Sequence, residues 1–427
     1  MDLTLPPLTP MASLVIRPFQ EGLATTSSPT RYLVDSGTRQ HVVGTDAHKL
    51  LLALQGNPPT WEALSAHYSA LIGTAVSTAE VHQAAAQLPI EWFKAEEALP
   101  VRTPFWFHIE LLSAKLLGPL TARLSGLFNW WLAIPVVLSF LVVQTLVLPT
   151  AVERIHVSHN AAENMLLLLC LLTTTLIHEL GHLSACTRSG GKHGGIGFGM
   201  YLVFPAFYAD VTKAWHLPPR ARVLVDAGGI YFQSFTIIAI GAYALATDSS
   251  FAYRLIWLAT FMMLHTLNPF FKFDGYWLLS DATGLTNLHA KVRQAVVDTI
   301  RRIFKPSSGR APASNSPLKS KILYVYAVLC GIYLVFVFNF LYREAKLIVR
   351  DYPGTFAAKT DILLDALSAK QMGGALLAIG DLVLASAWPA CLLLASIAMI
   401  GSLASRCSKV IADLQSGAKT APARGAA

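Results

Sequence analysis

Charge is scarce in this chain. Asp, Glu, Lys and Arg make up only 14% of its 427 residues, while 54% are hydrophobic. Soluble domains carry about 25% charged residues, so an ordinary soluble globule is excluded and a membrane protein is expected. Cysteine is also sparse. Cys170, Cys186, Cys330, Cys391 and Cys407 lie in or beside apolar runs with no Cys-x-x-Cys spacing, which argues against a disulfide framework and against a cysteine-held zinc. The N-terminus lacks a basic stretch followed by an apolar core, so no cleavable signal peptide is expected. There is no internal repeat and no heptad pattern. The net charge of +8 reads, in this composition, as the cytoplasmic bias of a membrane protein, and no nucleic-acid partner is expected.

The expected fold class is mainly α: a polytopic membrane helical bundle of about six spans with a small α+β, winged-helix-like N-terminal domain. Residues 1–12 are Pro-rich and read as a flexible N-terminus. Residues 13–96 read as a small soluble domain. Its strands are expected at Ser13–Arg17, Arg31–Val34 and Gln40–Val43, with turns at Asp35-Ser-Gly37 and Gly44. Its helices are expected at Asp46–Gln55, Trp61–Leu71 and Thr78–Leu88, the last with a Ser77/Glu80 capping box and a Val76/Val81 staple. Residues 97–125 form a juxtamembrane segment in which Ile109–Leu124 reads as an amphipathic interfacial helix.

Spans are expected at Trp130–Leu148, Met165–Cys186, Val223–Ala246, a short Leu255–Leu267, Ile322–Leu341 and within residues 375–404, centred on Ala385–Leu403. Residues 126–290 thus form the membrane core, and residues 321–405 add further helices. Residues 291–320 are a basic amphipathic helix (Leu288–Ile303) and a linker (Ser307–Pro317), and residues 406–427 are a flexible tail. Lys and Arg gather in alternate loops, among them Arg188, Lys192, Lys213 and Arg220, then Lys272 through Lys319. The expected topology is multi-pass in the cell (inner) membrane, with the N-terminus cytoplasmic.

The second span carries the chemistry. Leu166–Leu183 is long and apolar, yet ends in His178-Glu-Leu-Gly-His182. On a helix, residues i and i+4 share one face, so the two imidazoles can grip one metal ion. Glu179 stands beside them, placed to take a proton from an activated water. Three ionisable groups at membrane depth are costly enough to need a reason. A catalytic zinc commonly takes a third protein ligand. The best candidate ends the fourth span, in Asn268-Pro-Phe-Phe-Lys-Phe-Asp274-Gly275: Pro269 breaks the helix and turns the chain inward, bringing Asp274 to the depth of the histidines. His265 reads as a core or supporting histidine, and Gln233 as a hydrogen-bonding group for substrate or another span. Gly228-Gly229 reads as a close helix contact. Gly190–Asp210, rich in glycine and aromatics, reads either as a hairpin whose edge pairs with an extended substrate or as a re-entrant plug.

Taken together, His178-Glu-Leu-Gly-His182 and Asn268-Pro…Asp274-Gly275 resemble the site-2 proteases, intramembrane zinc metalloproteases, over roughly residues 105–290. Tyr208-Ala-Asp-Val-Thr212 and Asp274-Gly-Tyr-Trp277 resemble the peptide zinc metalloprotease branch. The resemblance implies His178, His182 and Asp274 as zinc ligands, Glu179 as general base and Asn268 as a substrate-orienting or oxyanion residue. The Asn268–Asp274 interval is shorter than in the longer form of that motif, and no PDZ-like insert separates the spans. Residues 13–96 also resemble the winged helix that recognises leader peptides. The bland alternative is a small regulatory or packing domain.

The expected activity is metalloendopeptidase cleavage of a membrane-associated peptide or protein. One version matures a leader-bearing peptide alongside an exporter or peptide-modifying enzymes. A second cleaves a membrane-tethered regulator. A rival from another class is a non-catalytic scaffold that hands a peptide to an exporter.

Overall fold

A computed structural model of the chain describes residues 14–19, 31–35, 40–56, 58–88, 105–154, 160–201, 204–285, 287–304 and 317–419. The Pro-rich residues 1–12, the turn at 36–37 and the linker residues 307–316 lie outside them. The chain divides into two compact units. One is Met1–Thr103 with Lys213–Arg222 and Asp281–Gly284; the other holds the rest.

In the first unit, β1 (Val15–Phe19), β2 (Arg31–Asp35) and β3 (Gln40–Val43) form an antiparallel meander. Helices α1 (Thr45–Gln55), α2 (Trp61–Ile72) and α3 (Thr78–Ala85) follow. Leu14, Val34, Leu50, Leu51, Leu54, Leu64, Tyr68 and Val81 make the core, with Val76 packed against it. The expected small α+β domain is therefore present.

The capping box at α3 is complete. The Glu80 N–H donates to Ser77 Oγ at 3.3 Å, and the Ser77 N–H donates to Glu80 Oε2 at 2.8 Å. The Ser77 N–H, together with the Ser77 hydroxyl that donates to the same Oε2 at 2.7 Å, holds the Glu80 carboxyl below its ordinary value. A depressed folded-state value stabilises above the ordinary glutamate range, and that contribution is lost as acidification passes the lowered value. Ser77→Ala should cost about 1 kcal/mol and lower the melting temperature of the domain, read by circular dichroism.

The second unit is a bundle. Among the described residues, five helices are long and apolar enough to cross a membrane: α5 (Trp130–Arg154), α6 (Ala161–Arg188), α7 (Pro219–Thr247), α11 (Pro317–Ser368) and α12 (Met372–Lys419). The expected count was six. The difference is α8 (Ser250–Thr266), whose 17 residues reach only about 26 Å at 1.5 Å each, short of the roughly 30 Å hydrocarbon core. Ser249 caps its start, and the Asn268-Pro269 pair bars its continuation. Instead of spanning alone, α8 buries Ala252, Ile256, Ala259 and Met263 against Val143 and Val147 of α5 and Ile237 of α7.

Two further boundaries differ from expectation. Ile109–Leu124 is not one interfacial helix. Phe105–Leu112 is a strand, β4, and only Ala114–Leu124 is helical, as α4. The aromatic and branched residues of Phe105-Trp-Phe-His-Ile suit a pleated surface. They find a partner in the Gly-rich segment after α6, where β5 (Ile196–Tyr201) and β6 (Phe204–Ala209) form a hairpin. The sheet order is β4-β5-β6, all antiparallel, with Ile109 opposite Phe198 and Ile196 opposite Ala209. Second, α11 and α12 run far beyond the 20-residue apolar windows expected of them. α12 is continuous through 375–404 and stays helical to Lys419, inside the expected flexible tail.

Two more helices among the described residues are α9 (Asp274–Thr283) and the basic helix α10 (Leu288–Phe304).

Candidate metal centre

α6 carries His178 and His182 one turn apart, with relative exposures of 5% and 6%. Across from them, Asp274 opens α9. Three ligand-type atoms converge. His178 Nε2 lies 2.8 Å and His182 Nε2 3.4 Å from Asp274 Oδ2, and the two Nε2 atoms are 3.1 Å apart. This is a group that could hold a metal. Sequence reasoning placed these three residues at one depth, and the structure brings them together.

The outer ring atoms decide what the inner ones can do. His178 Nδ1 is 3.2 Å from Gln233 Oε1, and His182 Nδ1 is 2.8 Å from the Val225 carbonyl oxygen. Both partners are acceptors, so both Nδ1 atoms carry the proton. Gln233 is held in that orientation because its Nε2 donates to Ala259 O at 3.4 Å. In the neutral form that a metal requires, each ring then turns its Nε2 lone pair inwards. Two lone pairs and a carboxylate oxygen facing one point repel one another unless a cation stands between them. A tetrahedral zinc with bonds of about 2.0–2.1 Å needs ligand atoms about 3.3 Å apart. The three observed separations bracket that value, and the donor set fits zinc.

Glycines make room for this arrangement. A Cβ on Gly229 would lie 2.4 Å from His182 Nε2 and 2.5 Å from His178 Nε2, so α7 passes the ligand atoms at a distance only hydrogen allows. Neighbouring Gly228 faces Gly181 of α6, where a Cβ would meet backbone. At the other ligand, a Cβ on Gly275 would sit 1.9 Å from Leu267 O. The start of α9 can therefore double back on the end of α8 only without a side chain there.

Glu179 lies between the two histidines in the sequence of α6, and β6, which ends at Ala209, packs against that helix. β6 is an edge strand of its sheet. The hairpin packs on α6 through Ile196, Ala209, Leu176, Leu180 and Leu183.

Asn268 sits apart from the three ligand atoms in its bonding. Its Oδ1 accepts from the Phe270 N–H at 2.9 Å, and its Nδ2 donates to the Tyr333 hydroxyl at 2.6 Å. His265 stacks between Phe261 and Phe273, outside the group of three. Gln233 bonds other helices and Gly228-Gly229 makes a close helix contact, as expected; their direct engagement of the two imidazoles was not foreseen. The available signal was the i, i+4 spacing of Gly229 and Gln233, which puts both on the α7 face that meets α6.

No protein-family model matches the chain, and no solved structure does. One curated relative is similar: "Putative peptide zinc metalloprotease protein YydH" of Bacillus subtilis (strain 168), 26% identical over 117 residues, or 27% of this chain. The matched region spans about half (46%) of that relative's length.

Removing the Gln233 tether should free the His178 ring to rotate and take the other tautomer. Gln233→Leu is expected to lower zinc affinity about 10–100-fold, measured by chelator competition on the purified protein. Unchanged affinity would show that the tether is dispensable.

Proposed function

We propose that this chain is a zinc-dependent intramembrane endopeptidase of the site-2 protease type, cutting a membrane-associated peptide or protein. The observation that carries the reading is the convergence of His178 Nε2, His182 Nε2 and Asp274 Oδ2, with Glu179 beside them on a helix long and apolar enough to span a bilayer. The similarity to a protein named as a peptide zinc metalloprotease supports it.

In this reading His178, His182 and Asp274 hold the ion. Bound zinc supplies a Lewis acid towards water and a peptide carbonyl. Glu179 takes the proton from the attacking water and delivers it to the leaving amine. β6, which packs on α6 through Ala209, lies beside the site in this reading. An extended substrate laid along the β6 edge would present its backbone carbonyls next to Glu179. A helical substrate hides those carbonyls in its own hydrogen bonds and must unwind first.

Glu179→Gln keeps the shape and removes the base. It should cut turnover by about 10²–10⁴-fold while zinc content stays at the wild-type level. A chelator should abolish wild-type activity, and zinc should restore it. Cleavage at wild-type rate in Glu179→Gln would overturn the assignment and favour a non-catalytic scaffold.

For the substrate, the α+β domain supports maturation of a leader-bearing peptide, with an exporter or peptide-modifying enzymes as partners and the cytoplasmic leaflet as the side of recognition. Deleting residues 1–96 should then abolish processing of the precursor. If cleavage persists and only its control changes, the substrate is a membrane-tethered regulator instead.

A further inference from the structure

We propose that α11 belongs to the metal centre's scaffold: the hydroxyls of Tyr326 and Tyr333 position Asp274 by fixing the turn Asn268–Phe273. The proposal rests on the reading of His178, His182 and Asp274 as ligands, and it deepens that reading by assigning two positioning residues outside the 126–290 core.

The turn is the weak link of the site. α6 supplies both imidazoles from one rigid helix, but Asp274 follows a seven-residue connection, Leu267–Phe273, that leaves α8. Pro269 has no N–H to donate, and the carbonyls of Pro269 and Phe270 lie beyond the end of the α8 ladder. In apolar surroundings such groups need partners. The structure supplies them from elsewhere in the chain. The Tyr326 hydroxyl donates to Pro269 O at 2.8 Å. His289 Nε2, on α10, lies 3.1 Å from Phe270 O and donates to it. The Tyr333 hydroxyl accepts from Asn268 Nδ2 at 2.6 Å. Both tyrosine rings also stack on Phe270, with centroids 5.9 Å and 4.5 Å away.

Tyr326 and Tyr333 are seven residues apart, two turns of one helix, so they stand on the same face of α11. That face meets three consecutive residues, Asn268, Pro269 and Phe270. The far end of the turn is fixed by Gly275 against Leu267. Between these anchors Asp274 has little freedom, and its carboxylate stays at the imidazoles. Asn268, on this account, works through the turn: both of its amide atoms are engaged there, one with Phe270 N–H and one with Tyr333.

The test uses the full-length protein in detergent micelles and compares wild type, His178→Ala, the double variant Tyr326→Phe/Tyr333→Phe, each single Phe variant, and Ile332→Ala. Phe keeps the rings on Phe270 and removes only the hydroxyls. Ile332 is a highly exposed apolar residue on the same helix and serves as control. Zinc affinity is read by chelator competition, apo-protein melting by intrinsic fluorescence, and peptide cleavage at limiting and saturating zinc.

The expected result is a loss of zinc affinity of about tenfold or more in the double variant, with apo melting close to wild type. Its kcat should fall at limiting zinc, recover at saturating zinc, and leave KM unchanged. Ile332→Ala should match wild type. Should the double variant fail to fold, the two single variants must show the affinity loss.

Wild-type affinity in the Phe variants, alongside zinc binding that His178→Ala abolishes, would overturn the positioning role and leave the metal centre standing. Equal losses in Ile332→Ala would reduce α11 to general support. No zinc on the wild type would end both readings.

Discussion

The structure depends on two imidazole nitrogens and a carboxylate oxygen being held at one point. The Val225 carbonyl and the Gln233 amide oxygen engage Nδ1 of His182 and His178, which turns both Nε2 atoms towards Asp274. Asp274 Oδ2 completes the set. In a medium of low dielectric such a cluster is unfavourable by itself and strongly favourable around a cation. The close approach of α7 at Gly228 and Gly229, the doubling back at Gly275, and the bonds from α11 to the 268–270 turn all keep those atoms together against their repulsion. A fold stabilised only by apolar burial would have no use for them.

Much of this was legible because it follows from local geometry. His178 and His182 share a helix face at any i, i+4 spacing, and Pro269 announces the break that returns the chain towards them. The Ser77/Glu80 box and the β5–β6 hairpin are equally local signals. What was not legible depends on partners far off in sequence. Gln233 reads as a hydrogen-bonding group for substrate or another span, but that its partner is the His178 ring shows only when α6 is laid against it. Gly229 reads as a packing glycine, although its missing Cβ is what keeps the ligand atoms clear.

Two element boundaries were misread for different reasons. Ile109–Leu124 has helical periodicity, and nothing within it reveals that Phe105–Leu112 gains a ladder by pairing with β5. Tertiary pairing overrode a local pattern there. In α11 the expectation stopped at Leu341 because that is where the apolar run ends. The helix itself continues to Ser368, since Arg, Glu, Lys, Leu and Ala sustain a helix whether or not lipid surrounds it. Bilayer thickness limits the span and leaves the helix free to run on.

That continuation changes how the C-terminal helices relate to the core. Asp381 of α12 accepts from Asn164 Nδ2 at 3.1 Å and pairs with Lys359 of α11. Asn164 Oδ1 in turn accepts from Arg254 of α8 at 2.9 Å. One polar chain thus joins α8, α6, α12 and α11 near the first turn of α6. Asn164 and His178 are 14 residues apart, about 21 Å along the helix. The helix that bears the imidazoles is therefore tied to α12 at one end, and the turn that bears the carboxylate is tied to α11 near the site. Polar contacts between membrane helices are individually worth only about 0.6–2 kcal/mol, too little to hold a bundle together. They carry direction, which apolar packing against lipid-like surfaces does not. Two such ties at separate depths resist both sliding and rotation of α6 relative to the Asp274 turn. Those are the two motions that would separate the imidazoles from the carboxylate.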